Sequence, residues 1–510
     1  MVRSNNIWIS CLIVFLASAC SLIIELVAGR IMAPYVGVSL YTWTSIIGVV
    51  LAGISLGNYL GGKIADRWRS RKTLGILLLL SGILSLSILL TIDLLKGSPF
   101  TLSLVPKILF LAAVIFFPPS CILGTISPIV VKLTLENIDE TGNIVGKIYA
   151  FGALGSIVGT FLTGFILISL LGTRLIVFIV AVTLVLMSIV FGDWRRTKID
   201  FAVLLIFFAG FAYLMYNQGR LQSPFLMETN YYTINVNETP MSDGTTRKEL
   251  VLDHLIHSYS WIDDPTRLEY GYEKIYAEIA DYVAQDHPSL KTLFIGGGGY
   301  TFPRYVEAVF PGSKIDVIEI DQGVTKTAYD YLGLRPDTRI RTFNEDARIF
   351  FDNNSQAGMK YNLIMGDAFN DLSVPYHLTT HEFDDKIKQL LEPDGFYMAN
   401  VIDNYKRGEF LRAFLNTLKK SFNYVYLFGL SSDWDWDGSS TYIVLGGNVP
   451  LDVHEFERVA SENGTKQVIG TLLPENQLEE YLHNGRMLVL TDDYVPVDNL
   501  MAPIFIERGY

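Results

Sequence analysis

Four consecutive glycines and a later acidic residue are the first residues whose types and spacing point to chemistry. The glycines are Gly296, Gly297, Gly298 and Gly299. They follow an apolar run at 291–295 that predicts a buried strand, and a second strand pattern at 314–318 ends in Glu319. Glycines let a backbone approach a ligand closely, and an acid 23 residues after Gly296 is well placed to bind ribose hydroxyls. The pattern predicts a nucleotide or nucleoside site, with a structural turn as the alternative.

Two aspartates stand at the ends of further strand patterns. The third strand precedes Asp346-Ala347, where the carboxylate can accept from an adenine amino group and the small neighbour leaves room for the ring. The alternative for Asp346 is a helix N-cap, and both roles can hold together. The fourth strand, 361–365, leads to Asp367. Ligands of parallel sheets bind at the carboxyl ends of the strands, so Asp367 is placed for chemistry, with turn capping as the alternative.

The elements that must position these residues alternate between strand and helix from residue 218 onward. Residues 218–265 contain short strand patterns around a turn at 242–244, which predicts a small β-strand region. Residues 266–510 then predict an α/β Rossmann-type, methyltransferase-like domain with a doubly wound sheet. This order brings the glycine run and Asp367 to one edge of one sheet.

The first 217 residues hold the long, charge-poor apolar runs, and about 20 such residues are needed to cross a bilayer. Candidate spans lie at 7–29, 42–62, 73–94, 105–131, 144–171, 174–192 and 201–217. We therefore expect an all-α transmembrane domain of six or seven helices over 1–217, in an integral, multi-pass protein of the plasma (inner) membrane. Small residues in the fifth span predict close helix packing there, at Gly152, Gly155, Gly159 and Gly164.

Basic loops predict how the bundle is oriented. The loop 62–72 is similar to the loop between helices two and three of major facilitator transporters, and it is rich in Lys and Arg. The positive-inside rule places this loop, and the basic residues at 195–198, in the cytoplasm. If 201–217 crosses the membrane, the C-terminal domain lies outside. If 201–217 is re-entrant or interfacial, that domain is cytoplasmic, which access to an adenosyl ligand favours.

The composition excludes several functional classes. The net charge of −12 argues against nucleic acid as a partner and is compatible with cationic small molecules. All three cysteines, Cys11, Cys20 and Cys121, lie in the apolar half, and the histidines show no metal-ligand spacing. We therefore expect neither a disulfide framework nor a metal site.

Residues of roughly 225–425 resemble the spermidine synthase family, the polyamine aminopropyltransferases. The segment 227–234 is similar to the opening strand of that family, and 250–253 to its next hairpin. The glycine run, Glu319 and Asp346-Ala347 match its nucleoside-binding positions. The segment 367–383 aligns without a gap with its catalytic loop. The whole chain resembles bacterial proteins that fuse a transporter-like bundle to a spermidine synthase domain.

This resemblance implies a reaction and a set of site residues. The co-substrate would be decarboxylated S-adenosylmethionine, and the acceptor would be an amine or polyamine. Asp367 would act as the base and would also contact the nucleoside. No metal would take part, and the soluble domain would form a homodimer. The residues implied for substrate binding are Tyr232, Tyr272, Asn370, Asp371 and Tyr376.

The chain departs from the family pattern where amines are bound. Gly299 stands where the family has an acid that holds the amino group of the aminopropyl chain, and Asn370 stands where it has a second Asp. Without an acid at position 299, the carboxylate of intact S-adenosylmethionine is not repelled. A second hypothesis is therefore an enzyme that uses intact S-adenosylmethionine for methyl transfer, aminocarboxypropyl transfer or cleavage. A third hypothesis is a transporter or sensor with a nucleoside- or polyamine-binding domain.

Overall fold

The chain forms two compact units, Met1–Thr233 and Ile234–Gly509, in the computed structural model. The structure describes residues 7–95, 102–135, 141–194, 198–354, 358–368, 374–434, 436–462 and 471–503, without the side chains at 198–200. The division falls after residue 233, within the segment 218–265 that the sequence predicts to be a β-strand region.

The first unit is helical. Its helices are α1 (Ile7–Val36), α2 (Leu40–Arg67), α3 (Arg71–Leu95), α4 (Leu104–Gly124), α5 (Ile126–Thr134), α6 (Thr141–Leu162), α7 (Ile168–Leu170), α8 (Thr173–Phe191) and α9 (Lys198–Asn217). A π-helical turn joins α6 to α7. Within the described residues, six helical segments are long and apolar enough to cross a membrane, with α4–α5 and α6–α7 each counted as one. The seventh predicted segment is helical as well, but its apolar part, Phe201–Asn217, is shorter than the others.

Glycines allow the helices of the first unit to approach closely. A Cβ at Gly155 of α6 would lie 2.1 Å from the carbonyl oxygen of Phe15 in α1, and one at Gly57 of α2 would lie 2.1 Å from that of Cys121 in α4. Gly152 and Gly159 also face α1, whereas nothing lies within 4 Å of a Cβ built at Gly164. The close packing predicted for the fifth span is therefore made by three of its four glycines.

The second unit is built on strands and helices that alternate along the chain. The strands are β1 (Met227–Glu228), which precedes the unit, then β2 (Thr233–Pro240), β3 (Thr246–Leu252), β4 (Leu255–Trp261), β5 (Lys291–Ile295), β6 (Lys314–Ile318), β7 (Arg341–Phe343), β8 (Tyr361–Gly366), β9 (Leu391–Asn404), β10 (Tyr424–Gly429) and β11 (Ser439–Gly447). The helices are α10 (Gly271–Ala284), α11 (Thr301–Val309), α12 (Gln322–Tyr331), α13 (Ala347–Asn354), α14 (His381–Leu390), α15 (Phe410–Ser421), α16 (Val453–Glu462), α17 (Glu475–His483) and α18 (Val497–Leu500).

The main sheet has seven strands in the order β10-β11-β9-β8-β5-β6-β7. Strands β5 to β9 are parallel, whereas β11 and β10 are added antiparallel at one edge. Every residue of β8 is buried, as expected for a strand covered on both faces. The predicted methyltransferase-like α/β domain is thus confirmed at the level of a mostly parallel, Rossmann-like sheet. Strands β2, β3 and β4 form a separate antiparallel meander.

The strand order reverses between β5 and β8. From β5 the chain proceeds outward through β6 and β7, and it then returns to the other side of β5 as β8 and β9. The backbone N–H of Asp367 donates to the carbonyl oxygen of Ile295 at 2.9 Å, so the pairing of β8 with β5 continues past the end of β8. Ligands of open α/β sheets bind at such a reversal, outside the carboxyl ends of the strands.

Candidate active site

The glycine loop after β5 lies directly against the end of β8. Gly296 has φ +98° and Gly298 has φ +48°, in the region that favours glycine. A Cβ at Gly296 would lie 2.3 Å from the carbonyl oxygen of Asp367. A side chain at this position would therefore push the loop away from Asp367. The glycine run and Asp367, predicted to share one edge of the sheet, are in contact.

Glu319, at the end of β6, holds the glycine loop in place. Its Oε2 accepts the N–H of Gly297 at 2.8 Å and that of Gly298 at 3.3 Å, while its Oε1 accepts the N–H of Asp321 at 2.9 Å. Burial raises the pKa of Glu319, and these backbone hydrogen bonds oppose the rise. A carboxylate has about four acceptor positions, so this one retains acceptor capacity for a ligand.

Asp367 is oriented by two side chains from other elements. Its Oδ1 accepts a hydrogen bond from Nδ2 of Asn400, on β9, at 2.9 Å. The hydroxyl of Tyr272, in the first turn of α10, donates a second hydrogen bond. Burial raises the pKa of Asp367, and both hydrogen bonds lower it because they favour the ionised form. The result is a partly buried carboxylate with a fixed orientation at the strand reversal.

The sequence interpretation missed two polar residues beside Asp367. Asn400 and Glu273 are 5% and 3% exposed, and neither was among the expected site residues. Burial, and then the charge of Asp367, raises the pKa of Glu273 to about 8. Their only sequence signal is a polar residue on an otherwise buried surface: Glu273 among the buried residues of α10, and Asn400 inside a strand run that is mostly apolar.

Asp346 caps α13 and also contacts a histidine. Its Oδ1 accepts the N–H of Arg348 at 2.9 Å and that of Ile349 at 3.3 Å, which is the N-cap arrangement. Its Oδ2 lies 2.9 Å from Nε2 of His377. Ala347, the first residue of α13, is buried. The capping alternative is therefore present, and contact of Asp346-Ala347 with an adenine ring stays a prediction.

Of the residues expected to bind substrate, the structure brings Tyr272 next to Asp367. Tyr376 is 60% exposed on a single 3-10 turn. Tyr232 precedes β2 and belongs to the first unit. Asn370 and Asp371 lie outside the described residues. A substrate role for these four residues remains a prediction.

Gly299 is enclosed by the end of the β2–β4 meander. A Cβ at Gly299 would lie 2.0 Å from Oγ and 2.9 Å from Cβ of Ser258, on β4. The Oγ of Ser258 is buried and has no hydrogen-bond partner among the described residues. The absence of an acid at position 299 is thus matched by a neighbouring strand that leaves no room for a side chain there.

Comparisons with known proteins identify relatives of the C-terminal part of the chain. Residues 273–430 match the family model described as "Spermine/spermidine synthase domain". The chain is 36% identical over 116 residues to a polyamine aminopropyltransferase of Vibrio vulnificus, which covers 23% of this chain and 39% of that protein. It is 24% identical over 327 residues to polyamine aminopropyltransferase 2 of Aquifex aeolicus, covering 61% of each.

A second class of relatives also matches. The eEF1A lysine and N-terminal methyltransferase of Homo sapiens is 27% identical over 122 residues, which is 22% of this chain and 18% of that protein. The chain thus spans less than two thirds of the length of each of these relatives. The comparisons place a spermine/spermidine synthase domain in the C-terminal part of the chain.

Proposed function

We propose, from the spermine/spermidine synthase domain in the C-terminal unit, that this chain is a membrane-bound transferase of the aminopropyltransferase type. It would transfer an aminopropyl group from decarboxylated S-adenosylmethionine to an amine. The observation that carries the proposal is the position of Asp367. This partly buried carboxylate is held by Asn400 and Tyr272 and lies against Gly296, at the strand reversal where a nucleoside would bind.

Asp367 suits the proton transfer that this reaction needs. A protonated amine has no lone pair for attack, so a base must first remove a proton. The free amine nitrogen then forms a bond to the carbon next to the sulfonium, the carbon–sulfur bond breaks, and its electron pair stays on sulfur as methylthioadenosine leaves. The proton resides on Asp367 until it passes to solvent. Burial, which raises the pKa of Asp367, makes this carboxylate a stronger base.

The nucleoside would bind along the edge formed by β5, β6 and β7. Glu319 would receive the ribose hydroxyls, because its carboxylate faces the glycine loop and keeps acceptor capacity. Asp346 and Ala347, after β7, would receive the adenine. The glycine loop, already in contact with Asp367, would bring the sulfonium end of the nucleoside towards the base.

Intact S-adenosylmethionine is the second candidate co-substrate. Two observations favour it: Gly299 supplies no acid to repel a carboxylate, and the buried hydroxyl of Ser258 lies beside it with a free hydrogen-bonding position. The match to an eEF1A lysine and N-terminal methyltransferase also supports intact S-adenosylmethionine as the co-substrate. The domain would then transfer a methyl or an aminocarboxypropyl group, with Asp367 still positioned to accept a proton.

Product analysis separates the two candidates. The detergent-solubilised full chain is incubated with each nucleoside and a panel of amines, and products are identified by mass spectrometry. Methylthioadenosine together with one added aminopropyl group supports the leading proposal. A methylated product replaces it with the alternative. Calorimetric titration with both nucleosides gives the same comparison at the level of binding, where a clear preference for the decarboxylated form rules against the alternative.

We further propose that the six apolar helical segments anchor the enzyme in the membrane with its C-terminal unit in the cytoplasm, where the nucleoside is available. The described apolar part of α9 is shorter than the six candidate spans, which favours an interfacial helix. The soluble half has no cysteine, so single cysteines introduced there report on its side of the membrane. Labelling of intact cells by an impermeant maleimide reagent would contradict the cytoplasmic placement.

A further inference from the structure

A second carboxyl group lies beside Asp367. Glu273, in the first turn of α10, is 3% exposed, and its carboxylate accepts the N–H of Tyr270. Its Oε2 is buried without a hydrogen-bond partner among the described residues. A buried acceptor oxygen is normally hydrogen-bonded, so among the described residues Oε2 of Glu273 is available to a donor group of a ligand.

Two further polar atoms near Asp367 are also buried without a hydrogen-bond partner among the described residues. The Oδ1 of Asn400 is buried and unpaired within the described residues, although its Nδ2 binds Asp367. The hydroxyl of Tyr276, one turn after Tyr272 on α10, is likewise buried and unpaired there. Glu273 Oε2 and Asn400 Oδ1 are acceptors, and a tyrosine hydroxyl can accept. Together they suit a ligand group that carries several N–H donors, as a primary amine does.

The aromatic rings around these atoms also suit a cation. Tyr270 and Tyr272 have ring centroids 5.3 Å apart, and Tyr272 and Tyr276 are 5.6 Å apart. Tyrosine faces attract ammonium groups, most strongly when water is excluded. The same helix therefore supplies a carboxyl group and aromatic rings next to the base.

We propose that Glu273 is the amine-recognising carboxyl of this site, holding the acceptor ammonium together with Asp367. The inference rests on the proposed amine-transfer function, and it adds a residue that provides negative charge in a site where Gly299 provides none. The amine arrives as an ammonium and binds between the two carboxyls. Asp367 then takes one proton, while Glu273 keeps the nitrogen positioned.

The charges that face Glu273 predict how pH affects amine binding. Asp367 faces it from the end of β8, Glu269 and Lys274 lie near it along its own chain segment, and Tyr397 of β9 faces the neighbouring Tyr276. With its pKa raised to about 8, Glu273 is mainly protonated at pH 7 and ionised at pH 9. A primary amine stays protonated to about pH 10. Amine affinity should therefore rise with pH, by about tenfold between pH 7 and 9, as the binding-competent ionised fraction grows.

The test compares Glu273→Gln with the wild-type full chain at pH 7, 8 and 9. The KM for putrescine, used as the probe amine, is expected to fall about tenfold over this range in the wild type. In Glu273→Gln it should be at least tenfold higher at pH 9 and independent of pH. Glu273→Asp should retain the pH dependence. Glu392→Gln, which removes a carboxyl that pairs with Lys291 at 3.0 Å at the start of β9, is the matched control and should behave as the wild type does.

Two measurements distinguish failure of this inference from failure of the proposed function. If the wild type makes the aminopropyl product and Glu273→Gln keeps the wild-type KM and pH dependence, Glu273 has no such role and the inference is overturned. If the wild type makes no such product, putrescine binding is measured by calorimetry with the nucleoside present. Binding that is lost in Glu273→Gln supports the inference without the function, and absence of binding overturns both. Unchanged nucleoside affinity in the variant shows that its fold is intact.

Discussion

The side-chain amide of Asn400 donates a 2.9 Å hydrogen bond to Oδ1 of Asp367, so β9 fixes the orientation of a carboxylate at the end of β8. Replacing this donor by an acid should change both the position and the basicity of Asp367. In Asn400→Asp a second carboxylate faces the first, and the pKa of Asp367 rises further. We expect kcat to fall at least tenfold at pH 7 and the acidic limb of its pH profile to move to higher pH. Asn400→Ala serves as control, because it removes the hydrogen bond without adding a charge and should therefore move the acidic limb less than Asn400→Asp does.

Asp367→Asn distinguishes an enzyme from a sensor. General base catalysis typically contributes about 10²- to 10⁴-fold, so turnover should fall by a factor in this range. Asparagine has the same shape and should still accept from Asn400, so nucleoside affinity should stay within about twofold. Steady-state kinetics and calorimetry on the same preparation check both numbers. Retained turnover would show that Asp367 is not the base.

Ser258 and Gly299 are so close that a side chain at position 299 requires a smaller residue at position 258. Gly299→Asp alone should disturb β4, because its Cβ would lie 2.0 Å from Oγ of Ser258, and we expect loss of nucleoside binding and a lower unfolding temperature. Ser258→Gly removes the two nearest atoms that the new Cβ would meet and leaves Oγ of Ser260, at 3.4 Å, as the next nearest. The double variant should recover stability and bind the decarboxylated nucleoside in preference to the intact one. Equal stability of the single and double variants would contradict the steric relationship.

Glu273→Gln should also change how stability depends on pH. Folding raises the pKa of Glu273 from about 4.5 to about 8, so between these values the folded state keeps a proton that the unfolded chain releases. Wild-type stability should therefore fall as pH rises from 5 to 8, by up to about 1.4 kcal/mol per pH unit from this group. The variant lacks this contribution. The difference between its unfolding midpoint and that of the wild type should therefore shift in favour of the variant as the pH rises from 5 to 8. Parallel curves for the two proteins would contradict the raised pKa of Glu273, and Glu392→Gln again provides the control.

Strand-end residues could be predicted from the sequence because their positions depend on local pattern. An apolar run predicts a buried strand, and the residue that follows it must lie at the carboxyl edge of a parallel sheet. Gly296, Glu319, Asp346 and Asp367 could be located in this way. The N-cap alternative for Asp346 also follows from local chemistry, and the structure contains it.

The partners of Asp367 depend on packing between distant segments. The residues around Asn400 and Glu273 in the sequence do not predict that β9 and α10 meet at the end of β8. The fit of Ser258 against Gly299 depends on how the meander rests on the glycine loop, which strand periodicity does not specify. The sequence therefore indicates the proposed nucleoside contacts more fully than the proposed amine contacts.

The reversal of strand order between β5 and β8 has an evolutionary consequence. The predicted nucleoside contacts come from the segments after β5, β6 and β7, whereas Glu273 and Asn400 come from α10 and β9. Mutations on one side can accumulate while the other side is conserved, with Asp367 as the shared residue. On the proposed function, a change of acceptor requires substitutions in α10 and β9, while the segments after β5, β6 and β7 retain the adenosyl donor.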